Sequence, residues 1–515
     1  MRLFRSFATV SGFVVLSRIL GFTRDILIAR VLGADMIADA FFVAFRFPNM
    51  FRNLFAEGAL NASFVPVFSA VLEERGQVQA RLFAEQVLAG LLGTLILFLF
   101  AVEAGMPWLI SIVAPGFVDD PEKLDLAIRF ARLTFPYLLF AALTALLSGI
   151  LNSLYRFAAA AAAPILLNVV LLAVLFQTWQ SQVEAGLALS LAIAVGGVAQ
   201  FLVLVQACRS AGIELRLPRP RLSPDVRRML RLMVPAAIGA GAAQINLLVG
   251  TLLASLLGTG AISYLYYAER ITWLPIGIIG VAIATALLPR MSRLLGAGDD
   301  ATAIANQNRA IELVLLLGLP ATAALIVIPL PIMEVLFVRG AFTLTDAAAS
   351  SAALAAFACG VPAYLLVRVL TPGFFARHDT VTPVRIAFVA VAVNVVASLS
   401  LMWSLGIVGI ALANVLAAWT SAVLQAAILL RRGHLVFDHR LRRRVPRIAL
   451  ASLAMAAALW IAAPHAAPLL AGSLAAELAA LAALIIGGAA IYGVAVLTLR
   501  AATLGDVRNA LRRGP

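Results

Sequence analysis

Ionisable side chains lie inside two long apolar segments near the beginning of this sequence, where charge is least expected. They are Arg18, Arg24, Asp25, Asp39, Arg46, Arg52 and Glu57. One Arg or Asp in the middle of a membrane-spanning helix costs about 2.5–3.5 kcal/mol on insertion scales. The guanidinium group of Arg presents a planar fork of donors that suits phosphate, and nearby carboxylates can pair with it in turn. The cluster therefore predicts a polar cavity that binds a phosphorylated ligand.

Helical periodicity sorts most of these side chains onto two polar faces. At about 100° per residue, positions seven apart nearly superimpose, so Ser17 shares one stripe of the first helix with Arg24. Arg18 and Asp25 share the adjacent stripe. On the second helix the polar residues that fall within roughly 80° of one another are Asp39, Arg46, Asn53, Glu57 and Asn61. Two polar faces this close in sequence are expected to meet each other or a water-filled cavity.

The second half of the chain adds one more charged pair, Glu269-Arg270, near the start of an apolar segment. The alternative interpretation of all these charges is a set of buried ion pairs that only hold the helices together. We favour a ligand-binding cavity, because the first two segments carry four Arg and three acidic residues and Arg270 supplies a fifth cation.

The composition requires a membrane around these charges. Of 515 residues, 63% are hydrophobic and 12% charged, whereas soluble domains are about half apolar and a quarter charged. Apolar segments that Gly, Pro or charge interrupts predict about fourteen spans, near 9–33, 37–70, 82–112, 124–152, 160–179, 185–208, 226–256, 261–294, 306–337, 346–375, 383–403, 407–430, 446–463 and 471–499.

The basic residues predict the orientation of these spans. The net charge is +14, and the basic residues concentrate at both termini and in two connectors, at about 209–231 and 431–447. Cytoplasmic loops collect Lys and Arg, so this pattern indicates topology and not a nucleic-acid partner. The alternate loops keep little beyond Lys123, Arg129, Arg132 and Arg339. An even number of spans with both termini in the cytoplasm follows.

The connectors divide the spans into six, six and two. The first two blocks share two weak sequence similarities: Leu32-Gly33 resembles Leu257-Gly258, and the stretch Asn168-Val-Val resembles Asn394-Val-Val. Parallel repeats of this kind place a substrate site at their interface. The predicted organisation is therefore an N-lobe at 1–208, a connector at 209–225, a C-lobe at 226–430, a connector at 431–445, two further helices at 446–500 and a tail at 501–515.

No motif for catalysis or metal binding accompanies the charges. The sequence holds no P-loop, no GxSxG nucleophile motif and no HExxH, so we expect a transporter and not an enzyme. The histidines are scattered near predicted helix ends: His378, His434, His439 and His465. This spacing argues against a metal site, and we expect no cofactor.

Several motifs, in order along nearly the whole chain, are similar to those of the MurJ (MviN) family of lipid II flippases. The stretches that carry this resemblance are SRILGFTRD at 17–25, ADAFF at 38–42, AEGA at 56–59 followed by FVP at 64–66, YAER at 267–270 with LPIG at 274–277, and FARHDTVTP at 375–383. The resemblance identifies the chain as a member of a superfamily of multidrug, oligosaccharidyl-lipid and polysaccharide exporters.

The resemblance implies an all-α membrane protein with two six-helix lobes in a V around a cavity, and two C-terminal helices that form a groove for a polyprenyl tail. It implies that the substrate is lipid II, an undecaprenyl pyrophosphate that carries a disaccharide-pentapeptide. Residues assigned to the substrate are Arg18, Arg24, Arg52 and Arg270. Residues assigned to gates or ion pairs are Asp25, Asp39, Glu57, Ser17, Arg46 and Glu269.

The chain departs from this family pattern at a sodium site. Some relatives bind sodium through acidic residues in helices 7 and 11. Here helix 7 has no Asp or Glu after Asp225 and helix 11 has none after Asp379, and Asn246 and Asn394 are polar but uncharged candidates. These two residues are therefore weak sodium candidates. Membrane potential, protons or a monovalent cation remain as sources of energy for the transport cycle.

Three alternatives differ in class or in substrate. A drug or cation antiporter of the same superfamily would more naturally have an acidic cavity. A flippase for another polyprenyl-linked glycan would share the pyrophosphate chemistry. A membrane enzyme acting on polyprenyl phosphates would normally show paired acids or an Asp-rich metal motif. We expect a monomer in the bacterial inner membrane that contacts lipid II, membrane lipids and the cell-wall synthesis machinery.

Overall fold

The structure, a computed structural model, describes residues 2–53, 59–177, 179–470 and 472–502. Within these ranges the chain forms helices joined by short connections and contains no β-strand, so the predicted all-α class is confirmed. Contacts divide the chain into two compact units. The first comprises Met1–Ser263 and Arg339–Phe342, and the second comprises Tyr264–Val338 and Thr343–Pro515. The predicted lobes and connectors stay a prediction.

The first unit is built from long helices with a few short ones between them. Its helices are α1 (Arg2–Leu32), α2 (Met36–Phe51), α3 (Asn61–Ala104), α4 (Met106–Val113), α5 (Pro121–Thr134), α6 (Tyr137–Ser153), α7 (Phe157–Leu175), α8 (Gln182–Ser210), α9 (Pro224–Ser255) and the start of α10 (Ala261–Pro275).

The second unit contains the rest of α10 and nine more helices. These are α11 (Val281–Gly296), α12 (Asp300–Val327), α13 (Pro329–Phe337), α14 (Leu344–Ala358), α15 (Val361–Phe375), α16 (Val381–Leu405), α17 (Ile407–Arg431), α18 (His439–Leu470) and α19 (Leu474–Thr498). A π-helical stretch at Ile276–Gly280 separates α10 from α11.

Within the described ranges, ten helical segments are long and apolar enough to cross a membrane, by length and composition. They coincide with ten of the predicted spans, and the chain is therefore a multi-pass membrane protein. The other four predicted spans coincide with α1, with α2 and the start of α3, with α9, and with α10 and α11. Charged residues, prolines or helix breaks interrupt these four. The count of fourteen spans stays a prediction.

Backbone geometry explains two of the breaks between or within helices. Gly76 interrupts α3 with φ of +79°, a conformation that costs glycine little and other residues more. Gly33, with φ of +68°, ends α1 where the chain turns, and its Cα lies so close to Ala341 that a Cβ would come 2.7 Å from that residue's carbonyl oxygen. The backbone N–H of Ala341 donates to the carbonyl of Arg30 (2.8 Å), which joins the 339–342 turn to the first unit.

Aromatic packing fixes α2 against α5 and so positions the charged residues of both helices. The ring of Phe41 in α2 meets that of Phe130 in α5 with centroids 6.5 Å apart. The rings of Phe47 in α2 and of Phe135, directly after α5, have their centroids 5.7 Å apart and their planes tilted by 30°. All four rings are buried. Large buried rings dominate the energetics of such contacts, so α2 and α5 are expected to move together.

Candidate functional site

Arg24, in the third quarter of α1, is a predicted phosphate-binding residue whose guanidinium group contacts three other side chains. Its side chain is buried at 7% exposure. Nε and Nη2 donate to Oδ1 of Asp25 (3.1 and 2.8 Å), and Nη1 donates to Oδ1 of Asn168 in α7 (3.0 Å). The guanidinium carbon also lies 5.7 Å from the ring centroid of Phe45. An acid, an amide and an aromatic ring therefore fix the orientation of the planar guanidinium group.

Asn168 is a site residue that sequence reasoning missed as such. Its side-chain amide group donates to the backbone carbonyl of Ser17 (3.1 Å) while its oxygen accepts from Arg24. An amide has both a donor and an acceptor, so one side chain of α7 ties two turns of α1 together. Gly21 lies beside this amide group, and a Cβ at that position would be in ordinary van der Waals contact with Nδ2 of Asn168, at 3.6 Å.

The other basic candidates of α1 and α2 have different environments. Arg18 is exposed, and it does not share the environment of Arg24. Nε of Arg52 donates to Oδ1 of Asn49 (2.9 Å), one turn earlier. Nη1 of Arg46 donates to Oγ1 of Thr251 in α9 (2.9 Å).

Glu57, a predicted gate residue, lies outside the described residues. Its predicted role stays a prediction.

Asp39 is a buried carboxylate of α2 that accepts hydrogen bonds from four donors. Its side chain has no exposed surface. Oδ2 accepts from the backbone N–H of Gly260 (2.7 Å), and Oδ1 accepts from the backbone N–H and the hydroxyl of Ser263 (2.9 and 2.7 Å). Those two N–H groups belong to the N-terminus of α10, whose first turn has no intrahelical acceptors. Asp39 therefore caps α10 from another helix.

The fourth donor to Asp39 is Lys123, the single lysine of the chain. Its ammonium group lies 2.9 Å from Oδ2 of Asp39, and the two side chains are 4% and 0% exposed. It also lies 4.4 Å from the ring centroid of Phe117. Lys123 stands in the first turn of α5, where the helix dipole disfavours a cation. Its position is therefore explained by Asp39 and not by helix α5.

On sequence alone, Lys123 counts only among the few basic residues of the loops opposite the basic connectors. The structure instead buries it beside a predicted gate residue. The available signal was that one of 39 basic residues is Lys, since a compact ammonium fits a narrow pocket that a guanidinium does not.

Within the second unit, the predicted pair Glu269-Arg270 contacts aromatic residues of its own helix. Nη2 of Arg270 donates to the hydroxyl of Tyr266 (2.8 Å), and the guanidinium carbon lies 4.8 Å from the ring centroid of the same residue. Oε1 of Glu269 accepts from Nε1 of Trp273 (3.3 Å). Tyr266 and Trp273 therefore set the directions of the two charged groups.

The two weak sodium candidates differ in burial. Asn394 is fully buried and accepts from the hydroxyl of Ser398 (3.3 Å), while Asn246 is half-buried in α9. No group of three or more His, Cys, Asp or Glu residues that could hold a metal ion occurs in the described part of the chain. The sodium assignment stays a prediction.

A second ionic cluster, in the second unit, was not predicted. Glu312 lies in the predicted span 306–337 and is nearly buried. Arg440 donates to its two oxygens through Nε and Nη2 (both 3.1 Å), and Arg444 and Arg309 also pair with it. Arg309 also pairs with Asp438. Glu312 is thus a charge inside an apolar span that the sequence prediction did not include. Its partners Arg440 and Arg444 open α18, and Arg309 lies in α12 itself.

Comparison with known proteins decides the family. The model of the family described as lipid II flippase MurJ matches residues 28–480 of the chain. The chain belongs to this family. A protein of Rhizobium meliloti (strain 1021) named probable lipid II flippase MurJ is 44% identical over 525 residues, which cover all of this chain and 97% of the relative. A Burkholderia cenocepacia protein named lipid II flippase MurJ is 35% identical and covers 84% of this chain and 85% of the relative.

Solved structures confirm the fold. One described as lipid II flippase MurJ in an inward closed conformation matches with a TM-score of 0.78 at 23% identity, covering 94% of this chain and 97% of the other. An inward-facing multidrug transporter of the MATE family, in the MOP superfamily, matches with a TM-score of 0.69 at 15% identity, covering 82% and 97%. The predicted MurJ family is thus confirmed by the family match, and the solved structures show that the chain shares its fold with a MurJ and a MATE protein.

Proposed function

We propose that this chain is a lipid II flippase, which moves the undecaprenyl-pyrophosphate-linked peptidoglycan precursor from the cytoplasmic to the periplasmic leaflet of the inner membrane. The observation that carries the proposal is the match to the MurJ family along nearly the whole chain, with a full-length relative at 44% identity that is named a probable lipid II flippase. The buried Arg24 cluster agrees with it chemically.

The proposed head-group interaction rests on the geometry at Arg24. Its fork of donors is preorganised against Asp25 and Asn168, so little side-chain entropy is lost when a phosphate oxygen replaces an existing acceptor. Charge-assisted bonds from guanidinium to phosphate are the strong ones. In the proposed cycle a phosphate oxygen takes the place of Asp25 on the guanidinium, and Asp25 re-pairs with Arg24 when the head group leaves. Arg18, Arg52 and Arg270 are the further proposed contacts.

Alternating access supplies the proposed route. The capping of α10 by Asp39, with Lys123 beside it, is assigned to the gate on the periplasmic side. Opening this gate would require Asp39 to release the backbone N–H groups of Gly260 and Ser263. The polyprenyl tail would stay in the lipid along α18 and α19. Both chain termini are placed in the cytoplasm.

The transported molecule leaves chemically unchanged, so the proposed activity is transport and not catalysis, without a cofactor. Membrane potential, protons or a monovalent cation supplies the energy. The MATE likeness concerns the fold alone at 15% identity and does not favour drug export.

Binding of lipid II to the purified full-length chain in lipid nanodiscs tests the proposal. We expect tight binding that Arg24→Gln weakens at least tenfold, because a hydrogen bond to a charged group contributes about 1.5–3 kcal/mol. Arg129→Gln is the matched control, since Arg129 forms an exposed pair with Asp125 outside this cluster. Equal weakening by both variants would contradict the proposed head-group site.

Preferential binding of an undecaprenyl pyrophosphate that carries a different glycan would redirect the assignment to that precursor.

A further inference from the structure

An apolar cavity of about 410 Å³ lies within the second unit, between α12, α15, α17 and the start of α18. Its walls are formed by side chains such as Leu315, Leu370, Ala426 and Val445. The single charged side chain that lines it is Arg442. Cavities of roughly 300–1,000 Å³ with apolar walls and a few polar groups are the usual form of a small-ligand site.

The basic residues that open α18 divide into two sets. Arg440 and Arg444, one turn apart, are directed to Glu312. Arg442 and Arg443 are exposed, and neither side chain forms a hydrogen bond or ion pair with the residues that the structure describes. Of these two, only Arg442 lines the cavity. The rim of the cavity thus carries a cation that Glu312 does not neutralise.

Apolar walls and a cationic rim together fit an amphiphile with an anionic head. We propose that this cavity binds one acyl chain of an anionic glycerophospholipid, with the lipid phosphate on Arg442. Basic pockets between membrane-spanning helices recognise such head groups. Val423, which lines the cavity, is 57% exposed, so the cavity is reached from the lipid-facing side of α17.

The dimensions and walls of the cavity favour a phospholipid over the polyprenyl tail of the transported substrate. The tail groove predicted from the sequence lies along α18 and α19, whereas no residue of α19 lines this cavity. A cavity of this volume takes one acyl chain and is far too small for an undecaprenyl chain. A phospholipid held here would pack α18 against α12, α15 and α17.

Native mass spectrometry of the full-length chain, titrated with phosphatidylglycerol or phosphatidylcholine, tests the proposal. We expect phosphatidylglycerol to bind more tightly, and Arg442→Gln to weaken its binding about fivefold, the effect of one Arg near an anionic lipid surface. Arg443→Gln is the matched control, because it removes the same charge one residue away and leaves the cavity unchanged. It should weaken binding less than twofold.

A second variant tests the cavity itself. Ala426→Phe places a ring between the apolar walls and should reduce binding of long-chain phosphatidylglycerol while leaving binding of a short-chain form nearly unchanged. If this variant does not fold, the Arg442→Gln and Arg443→Gln comparison still decides the matter.

Three results would overturn the proposal. Equal affinities for the two phospholipids would remove the role of the anionic head. Equal effects of Arg442→Gln and Arg443→Gln would indicate general attraction to a basic surface. Displacement of phosphatidylglycerol by an equal concentration of undecaprenyl phosphate would assign the cavity to the polyprenyl chain. None of these measurements depends on transport, so they remain informative whether or not the chain flips lipid II.

Discussion

Replacing Lys123 with methionine removes the ammonium group that pairs with Asp39 inside the first unit. Both side chains are almost fully buried and 2.9 Å apart. Breaking such a pair by removing one partner typically costs about 3–5 kcal/mol, because a charge is left buried and uncompensated. Methionine keeps most of the apolar volume of lysine, so the loss is electrostatic. We expect Lys123→Met to lower the free energy of unfolding of the first unit by this amount.

The assay is thermal and denaturant unfolding of the full-length chain in detergent, read as a double-mutant cycle. Asp39→Asn alone leaves Lys123 buried beside a neutral amide and should also destabilise. The double variant removes both charges. Its loss in free energy of unfolding should be smaller than the sum of the two single losses by at least about 2 kcal/mol. The matched control on the same helix is Arg129→Gln, which breaks an exposed pair with Asp125 and should cost no more than about 0.5 kcal/mol.

Additive losses in the cycle, or a Lys123→Met variant as stable as the Arg129→Gln control, would refute this reasoning. Either result would mean that the three remaining donors, from Gly260 and Ser263, satisfy Asp39 without the ammonium group. Lys123→Arg separates charge from size. It keeps the cation but must fit a larger group beside Phe117, so it should restore stability only in part.

Three further predictions concern other ionic contacts. Arg24→Lys should weaken lipid II binding in nanodiscs about tenfold, because the ammonium lacks the fork that contacts two acceptors at once; unchanged affinity would argue against a guanidinium-specific contact. Glu312→Gln should lower the free energy of unfolding of the second unit by about 3 kcal/mol, measured by unfolding in detergent. No loss would mean that water solvates the arginines that pair with Glu312. Burial raises the pKa of Asp379, but hydrogen bonds from Thr382 and Arg432 lower it by more, to about 2. Its stabilising contribution is therefore complete above about pH 4 and is lost as the pH falls through 2, so the stability difference between wild type and Asp379→Asn should be constant from pH 7 to 5 and shrink below pH 4.

Hydropathy predicted the helical segments well, because every span needs about 20 apolar residues in succession and such a signal is local. It could not show the breaks within spans. The interval between Thr134 and Tyr137, which separates α5 from α6, lies inside the single predicted span 124–152. Such a break depends on how the two helices on either side of it pack against the rest of the protein. The only local signal for it in the sequence is Pro136.

The charged residues of the site were predicted, whereas their partners were not. A charged residue inside an apolar segment can be recognised without any tertiary information, and Arg24 and Asp39 are examples. Asn168 lies 144 residues from Arg24 and Lys123 lies 84 residues from Asp39. Only the packing of α7 on α1 and of α5 on α2 joins them, so a single sequence cannot reveal these pairs. Glu312 was detectable by the same local signal as Arg24 and was overlooked.

The leaflet distribution of lipid II in the native bacterium, after depletion of this protein, tests the central claim most directly. Lipid II should accumulate in the cytoplasmic leaflet. Wild type and the Arg129→Gln control should restore its movement, whereas Arg24→Ala and Arg270→Ala, inserted at normal levels, should not. Normal movement of lipid II after depletion, in cells without a second flippase, would contradict the account.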